Sequence, residues 1–163
     1  MPLQVLLSVA LATAADARAA DHLAPLDFLV GHCWEGELEP GMRNAHCFER
    51  SEDGSVRDRH EVRRDGAVIY GGETVYRWHA DAGAIGFRYT SGGRVIGEGR
   101  VRAISGGLDF GAVDYAAGTG TVRVSSRWMR VGSDSYDAID EAQSAPRFNK
   151  TIRYTRVQKI QSR

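Results

Sequence analysis

His32, His46, Asp58 and His60 are the residues of this chain whose types and spacing suit chemistry, three of its five histidines and one carboxylate in a short span. Imidazole gains and loses a proton near neutral pH, and a carboxylate beside it fixes which nitrogen carries that proton. Neutral imidazole and carboxylate oxygen are also both acceptable zinc ligands. Asp58 precedes His60 by two residues, so on a strand the two share a face and the aspartate can orient the imidazole. The spacing matches no established metal motif, and neither a metal ligand nor a catalytic residue is assigned from it. The same set serves equally as a hydrogen-bonded interior network or as the polar wall of a ligand site.

These side chains must be positioned by strands, because the chain alternates around them. From Gly31 to Phe48 the sequence reads as two strands about Glu39-Pro40-Gly41. Trp34, Gly36 and Leu38 share one face with Asn44, His46 and Phe48, while Cys33 and Cys47 lie together on the other. In Val56 to Val62, Arg57, Arg59 and Glu61 demand water, which turns Asp58 and His60 inward. Glu52-Asp53-Gly54 and Arg64-Asp65-Gly66 fit three-residue hairpin loops with glycine in the left-handed position. With Arg63 paired to Ala67, that register predicts one inner row of Trp34, His46, His60 and Tyr70 and a second of His32, Phe48, Asp58 and Gly72. Val68, Tyr70, Gly72, Thr74, Tyr76 and Trp78 fall on one face of the next strand. A cavity lined by Trp34, His46, Asp58, His60, Tyr70, Tyr76 and Trp78 is the expected site.

Beyond that strand the alternation continues from Ile85 to Tyr89, then at Arg94 to Val101, Gly107 to Val113, Thr121 to Val131, Ser135 to Asp140 and Phe148 to Val157. About ten strands with glycine-bearing turns and no amphipathic helix predict an all-β fold, a single antiparallel up-and-down β-barrel whose closure removes exposed edges. Gly111 to Gly120, rich in glycine and alanine, is expected to be a loop or a weak edge. Leu23 to Val30 leads into the first strand with a helical turn near Pro25. The 21 basic and 21 acidic residues balance, so no nucleic-acid partner is expected. Gly-x-Gly at 97–99 and 118–120 lacks the strand-to-helix context of a nucleotide loop, and no Gly-x-Ser-x-Gly elbow is present.

Residues 1–19 combine an apolar run, Leu3 to Ala15, with the small residues of Ala17-Arg18-Ala19, as a secretory signal peptide does. The run is too short to span a bilayer, and no cysteine marks a lipid anchor, so no membrane anchor is expected. The domain then covers residues 20–163 and is periplasmic or secreted. In such a compartment Cys33 and Cys47, on one face of one hairpin, predict a disulfide.

Leu29-Val30-Gly31-His32-Cys33-Trp34-Glu35-Gly36 resembles the calycin group, which comprises lipocalins and the lipocalin-like families related to nitrobindin. With His46-Cys47-Phe48, Arg57-Asp58-Arg59-His60 and the Gly72 to Trp78 stretch, the chain also resembles exported bacterial proteins with lipocalin-like domains. Two residues separate Gly31 from Trp34 where lipocalins have one. The resemblance implies a barrel closed at one end by Trp34, with a basic residue of the last strand packed on that ring, Arg153 or Arg156. Nitrobindin-like proteins hold haem through a late histidine; the last histidine here is His79, so haem is not carried over and no cofactor is expected. The expected function is an exported β-barrel holding a small, partly apolar ligand. The alternatives are an enzyme using His46, His60 and Asp58 for acid-base or metal-assisted chemistry, and a structural envelope protein with a packed barrel.

Overall fold

The structure is a computed structural model that describes residues 22–158, so the signal sequence expected at 1–19 lies outside the described residues. Ten strands follow in chain order: β1 Cys33–Glu39, β2 Met42–Arg50, β3 Val56–Arg64, β4 Ala67–His79, β5 Ala84–Ser91, β6 Arg94–Ile104, β7 Gly107–Ala117, β8 Gly120–Arg130, β9 Ser135–Glu141 and β10 Lys150–Val157. Each pairs antiparallel with its sequence neighbour, and β1 pairs with β10, so the sheet closes into an up-and-down barrel with no free edge. Alternation along each strand puts arginines outside, where Arg59 meets Glu49 at 3.1 Å and Arg153 meets Asp137 at 2.6 Å. Solvated pairs of this kind keep the outer face soluble and add little stability.

The register of the first three strands follows the sequence. Cys33 stands opposite Cys47, Trp34 opposite His46, and His46 opposite His60. Cys33 and Cys47 are joined in a disulfide on the outer face, with Cα atoms 4.1 Å apart. The first hairpin turns through Pro40 and Gly41 alone, since Glu39 pairs with Met42. Proline fits the first turn position and Gly41, at φ +77°, the second, as a type II turn requires. The register shift between Glu37 and Glu39 absorbs the missing loop residue and keeps Trp34 aligned with His46.

The β3–β4 hairpin departs from the expected register. Arg64 pairs with Ala67 around a two-residue turn in which Asp65 and Gly66 both have positive φ, 51° and 85°. Such a turn matches the twist of its strands better than the three-residue loop. A bulge follows, because Arg63 faces Val68 and Val62 faces Tyr70, leaving Ile69 without a partner. His60 therefore stands opposite Gly72, and Asp58 opposite Thr74. Val68, paired with the outward Arg63, leaves the face it was expected to share with Tyr70. A second departure concerns Gly111 to Gly120: Gly111 to Ala117 belong to β7 and pair with β8. A bulge there, with Gly111 at φ +62°, interrupts the alternation that would otherwise have marked the strand.

The two ends of the barrel differ. One is plugged by the lead-in segment, a 3-10 turn at Ala24–Leu26 whose Leu23, Leu26 and Leu29 are fully buried against Trp34, Phe48, Val56, Tyr76 and Tyr136. Asp27 pairs with Arg50 and ties this plug to β2. Gly31, at φ +80°, lies outside β1, and its N–H donates to the carbonyl of Phe48. At the opposite end Val68, Ile69, Tyr70 and Val95 are exposed, so the apolar filling stops short of the rim.

Candidate functional site

Trp34 closes the plugged end. Its indole N–H donates to the Leu29 carbonyl at 3.2 Å, and the Arg156 guanidinium lies over its ring at 5.6 Å. Of the two arginines that the calycin likeness left open, Arg156 takes this place, while Arg153 pairs outside with Asp137. Trp34 is thus a lid rather than a wall of the cavity expected to include it. Trp78 is also elsewhere, stacked on His22 at 3.9 Å near the plug. His32 sits edge-on to Trp34 at 6.1 Å, beside Arg156 and Val157, and does not join the interior set.

From the rim inward, a cavity of about 460 Å³ runs down the barrel axis and is lined by Tyr70, Tyr76, His46, Asp58 and His60 among the expected residues. Its walls are largely aromatic and aliphatic, including Phe87, Tyr89, Ile96, Tyr115 and Trp128, and Lys150 stands exposed at its rim. Such a lining, with a few convergent polar groups, is the usual form of a small-molecule site. The polar groups gather at its floor.

There, His46 and Asp58 are bonded Nδ1 to Oδ2 at 2.8 Å, and the Asn44 amide nitrogen lies 2.8 Å from His46 Nε2 and 3.0 Å from the Tyr154 hydroxyl. The His46 and His60 ring centroids are 5.1 Å apart. His60 Nε2 is 3.2 Å from the Tyr89 hydroxyl, which is in turn bonded to Tyr70. Gly72 makes this packing possible, since a Cβ there would stand 2.6 Å from the Tyr89 ring and 3.0 Å from that of His60. Burial holds the His60 imidazole down to about 4, with the neighbouring His46 adding to the effect and Asp58 opposing it. The neutral form of His60 therefore dominates at neutral pH. Burial also raises the Tyr76 and Tyr89 hydroxyls, which stay protonated and available as donors.

Among the described residues, four buried side-chain polar atoms lack a partner, and three of them are Asn44 Oδ1, Asp58 Oδ1 and His60 Nδ1. All three belong to residues that line the cavity. Buried polar atoms are nearly always satisfied, so these three call for a partner, an ordered water, an ion or a ligand group.

Several contributors were not singled out in the sequence. Asn44 and Tyr154 hold His46, and Ser126 donates to Asp140 at 2.6 Å on the far wall, where burial raises the Asp140 carboxyl. Alternation was the available signal: Tyr136, Ala138 and Asp140 share a face of β9, as do Ile152 and Tyr154 of β10. No spacing rule links those strands to His46, because only closure between β1 and β10 brings the wall across.

None of the helices among the described residues is long and apolar enough to cross a membrane. No family model matches the chain, and no curated protein matches it.

Proposed function

We propose that the protein is an exported binding barrel that holds a small, partly apolar molecule in its axial cavity. The observation that carries this reading is the 460 Å³ cavity, walled by aromatic and aliphatic side chains and floored by His46, Asp58 and His60. An apolar body packs against Phe87, Ile96, Tyr115 and Trp128 while a polar group meets the unsatisfied atoms below. The resemblance to calycin barrels supports the same reading, and the disulfide suits the oxidising compartment to which a signal peptide would deliver the chain. A packed structural barrel would fill this space with side chains.

The test is titration with the neutral fluorescent probe N-phenyl-1-naphthylamine, followed by its emission rise. One saturable site is expected, lost in Ala117→Trp, whose indole would occupy the cavity from its rim. Absence of saturable binding to the folded wild-type protein would overturn the proposal. Native mass spectrometry of protein purified from its own host would then identify the retained molecule.

A further inference from the structure

We infer that His46, Asp58 and His60 form a binding site for one divalent transition-metal ion of the Zn2+ class. Candidate ligand atoms from the three residues lie within 4.8 Å of one another at the cavity floor. Two imidazole nitrogens and a carboxylate oxygen suit zinc and its borderline neighbours, whereas Mg2+ and Ca2+ prefer oxygen throughout.

Three observations carry the inference beyond the grouping of residue types. First, Asp58 is 1% exposed and His60 8% exposed, yet Asp58 Oδ1 and His60 Nδ1 have no partner. A buried polar atom left without a partner is costly, and a cation held by both oxygens of the Asp58 carboxylate and by Nδ1 of the Nε2–H form of His60 satisfies both. Second, the far nitrogen of each imidazole is already engaged, His46 Nε2 by Asn44 and His60 Nε2 by Tyr89. Metal-ligating histidines donate their second N–H to an acceptor, a role the Tyr89 oxygen can fill for His60 and Asn44 for His46 once its amide is turned. Both Nδ1 atoms are thereby assigned to the metal. Third, the His46 Nδ1 to Asp58 Oδ2 bond places a single proton between two ligand atoms. A cation replaces that proton, which moves to Nε2 of His46; Asn44 then turns its amide to accept it through Oδ1. With three protein ligands, at least one coordination position remains and faces the cavity, as in zinc sites that take water or substrate.

The ion-binding site does not depend on what fills the cavity above it, and metal alone is the probe. Chelator-treated protein titrated with Co2+ is expected to develop d–d absorption of four- or five-coordinate intensity at one equivalent, displaced by Zn2+. Calorimetry with Zn2+ should show the same stoichiometry, weakened about 100-fold or more in His60→Ala and in Asp58→Asn, since even outer-shell partners contribute 10- to 100-fold. His32→Ala and His79→Ala should bind as the wild type does. Folded wild-type protein that shows no stoichiometric Co2+ absorption would overturn the site, as would binding that survives both His60→Ala and Asp58→Asn. Ala117→Trp, which blocks the naphthylamine probe, should keep metal binding, so the ligand reading and the metal site fail separately.

Discussion

His60 combines a buried ring, an unsatisfied Nδ1 and a neighbour of the same kind, and these make it the most informative residue for pH dependence. Its folded value, about 4, lies below the ordinary 6.5. Between those values the unfolded chain binds a proton that the folded protein does not, so stability falls as pH drops from 6.5 toward 4 and levels below that. The depression corresponds to about 3 kcal/mol. Urea unfolding of metal-free protein across this window should show the loss, and His60→Phe should show a shallower one. An unchanged slope in the variant would mean that another group carries the effect. Burial is the larger cause of the depression, and the neighbouring imidazole of His46 adds to it.

At the level of elements, the β1–β2 hairpin keeps the expected pairing of Cys33 with Cys47 and Trp34 with His46 despite the shift beyond Glu37, and the disulfide and the row above it use opposite faces of the same strands. Cys33 and Cys47 cross-link directly opposed positions 14 residues apart. Thiol titration of unfolded, unreduced protein should find no free thiol. Reduction should lower unfolding free energy by about 3 kcal/mol or less, the chain-entropy value for a loop of this length. Urea midpoints with and without reductant check it; a larger loss would mean that the bond also holds the barrel seam beside β10. The β3–β4 hairpin shows the opposite lesson. Asp65-Gly66 takes the tighter turn and a bulge at Ile69 compensates, so Tyr70 still reaches the His60 ring, at 5.8 Å, without standing opposite it.

Across the whole molecule, the packed plug and the open rim stand at opposite ends of the barrel axis. The plugged end holds Trp34 at 1% exposure among Leu23, Leu26, Leu29 and Tyr136, and the far end leaves its apolar residues at the rim. Trp34→Ala should therefore cost about 3–5 kcal/mol, the range for deleting a buried aromatic ring. The substitution also removes the hydrogen bond to the Leu29 carbonyl and the ring on which Arg156 rests. The same variant should keep its probe site if the fold survives, since Trp34 is not part of the cavity wall. Chemical unfolding measures the first outcome and naphthylamine titration the second. A loss below about 1 kcal/mol would place the core elsewhere than the plug.

The all-β class, the approximate strand count, the disulfide and the alignment of Trp34, His46 and His60 were legible in the sequence. Each follows from local rules: side chains alternate with period two, and a row of arginines cannot turn inward, so Asp58 and His60 must. The course of the chain through Asp65-Gly66, the bulge at Ile69 and the continuation of β7 past Gly111 escaped those rules, because one extra residue reverses the parity on which they depend. Which inward residues reach the cavity is a matter of three-dimensional packing. Trp34 and Trp78 have the right parity but the wrong height, one in the plug and the other against His22. Asn44, Tyr154 and Asp140 meet the histidines only because β10 closes on β1, a contact between the two ends of the sheet that no local pattern encodes.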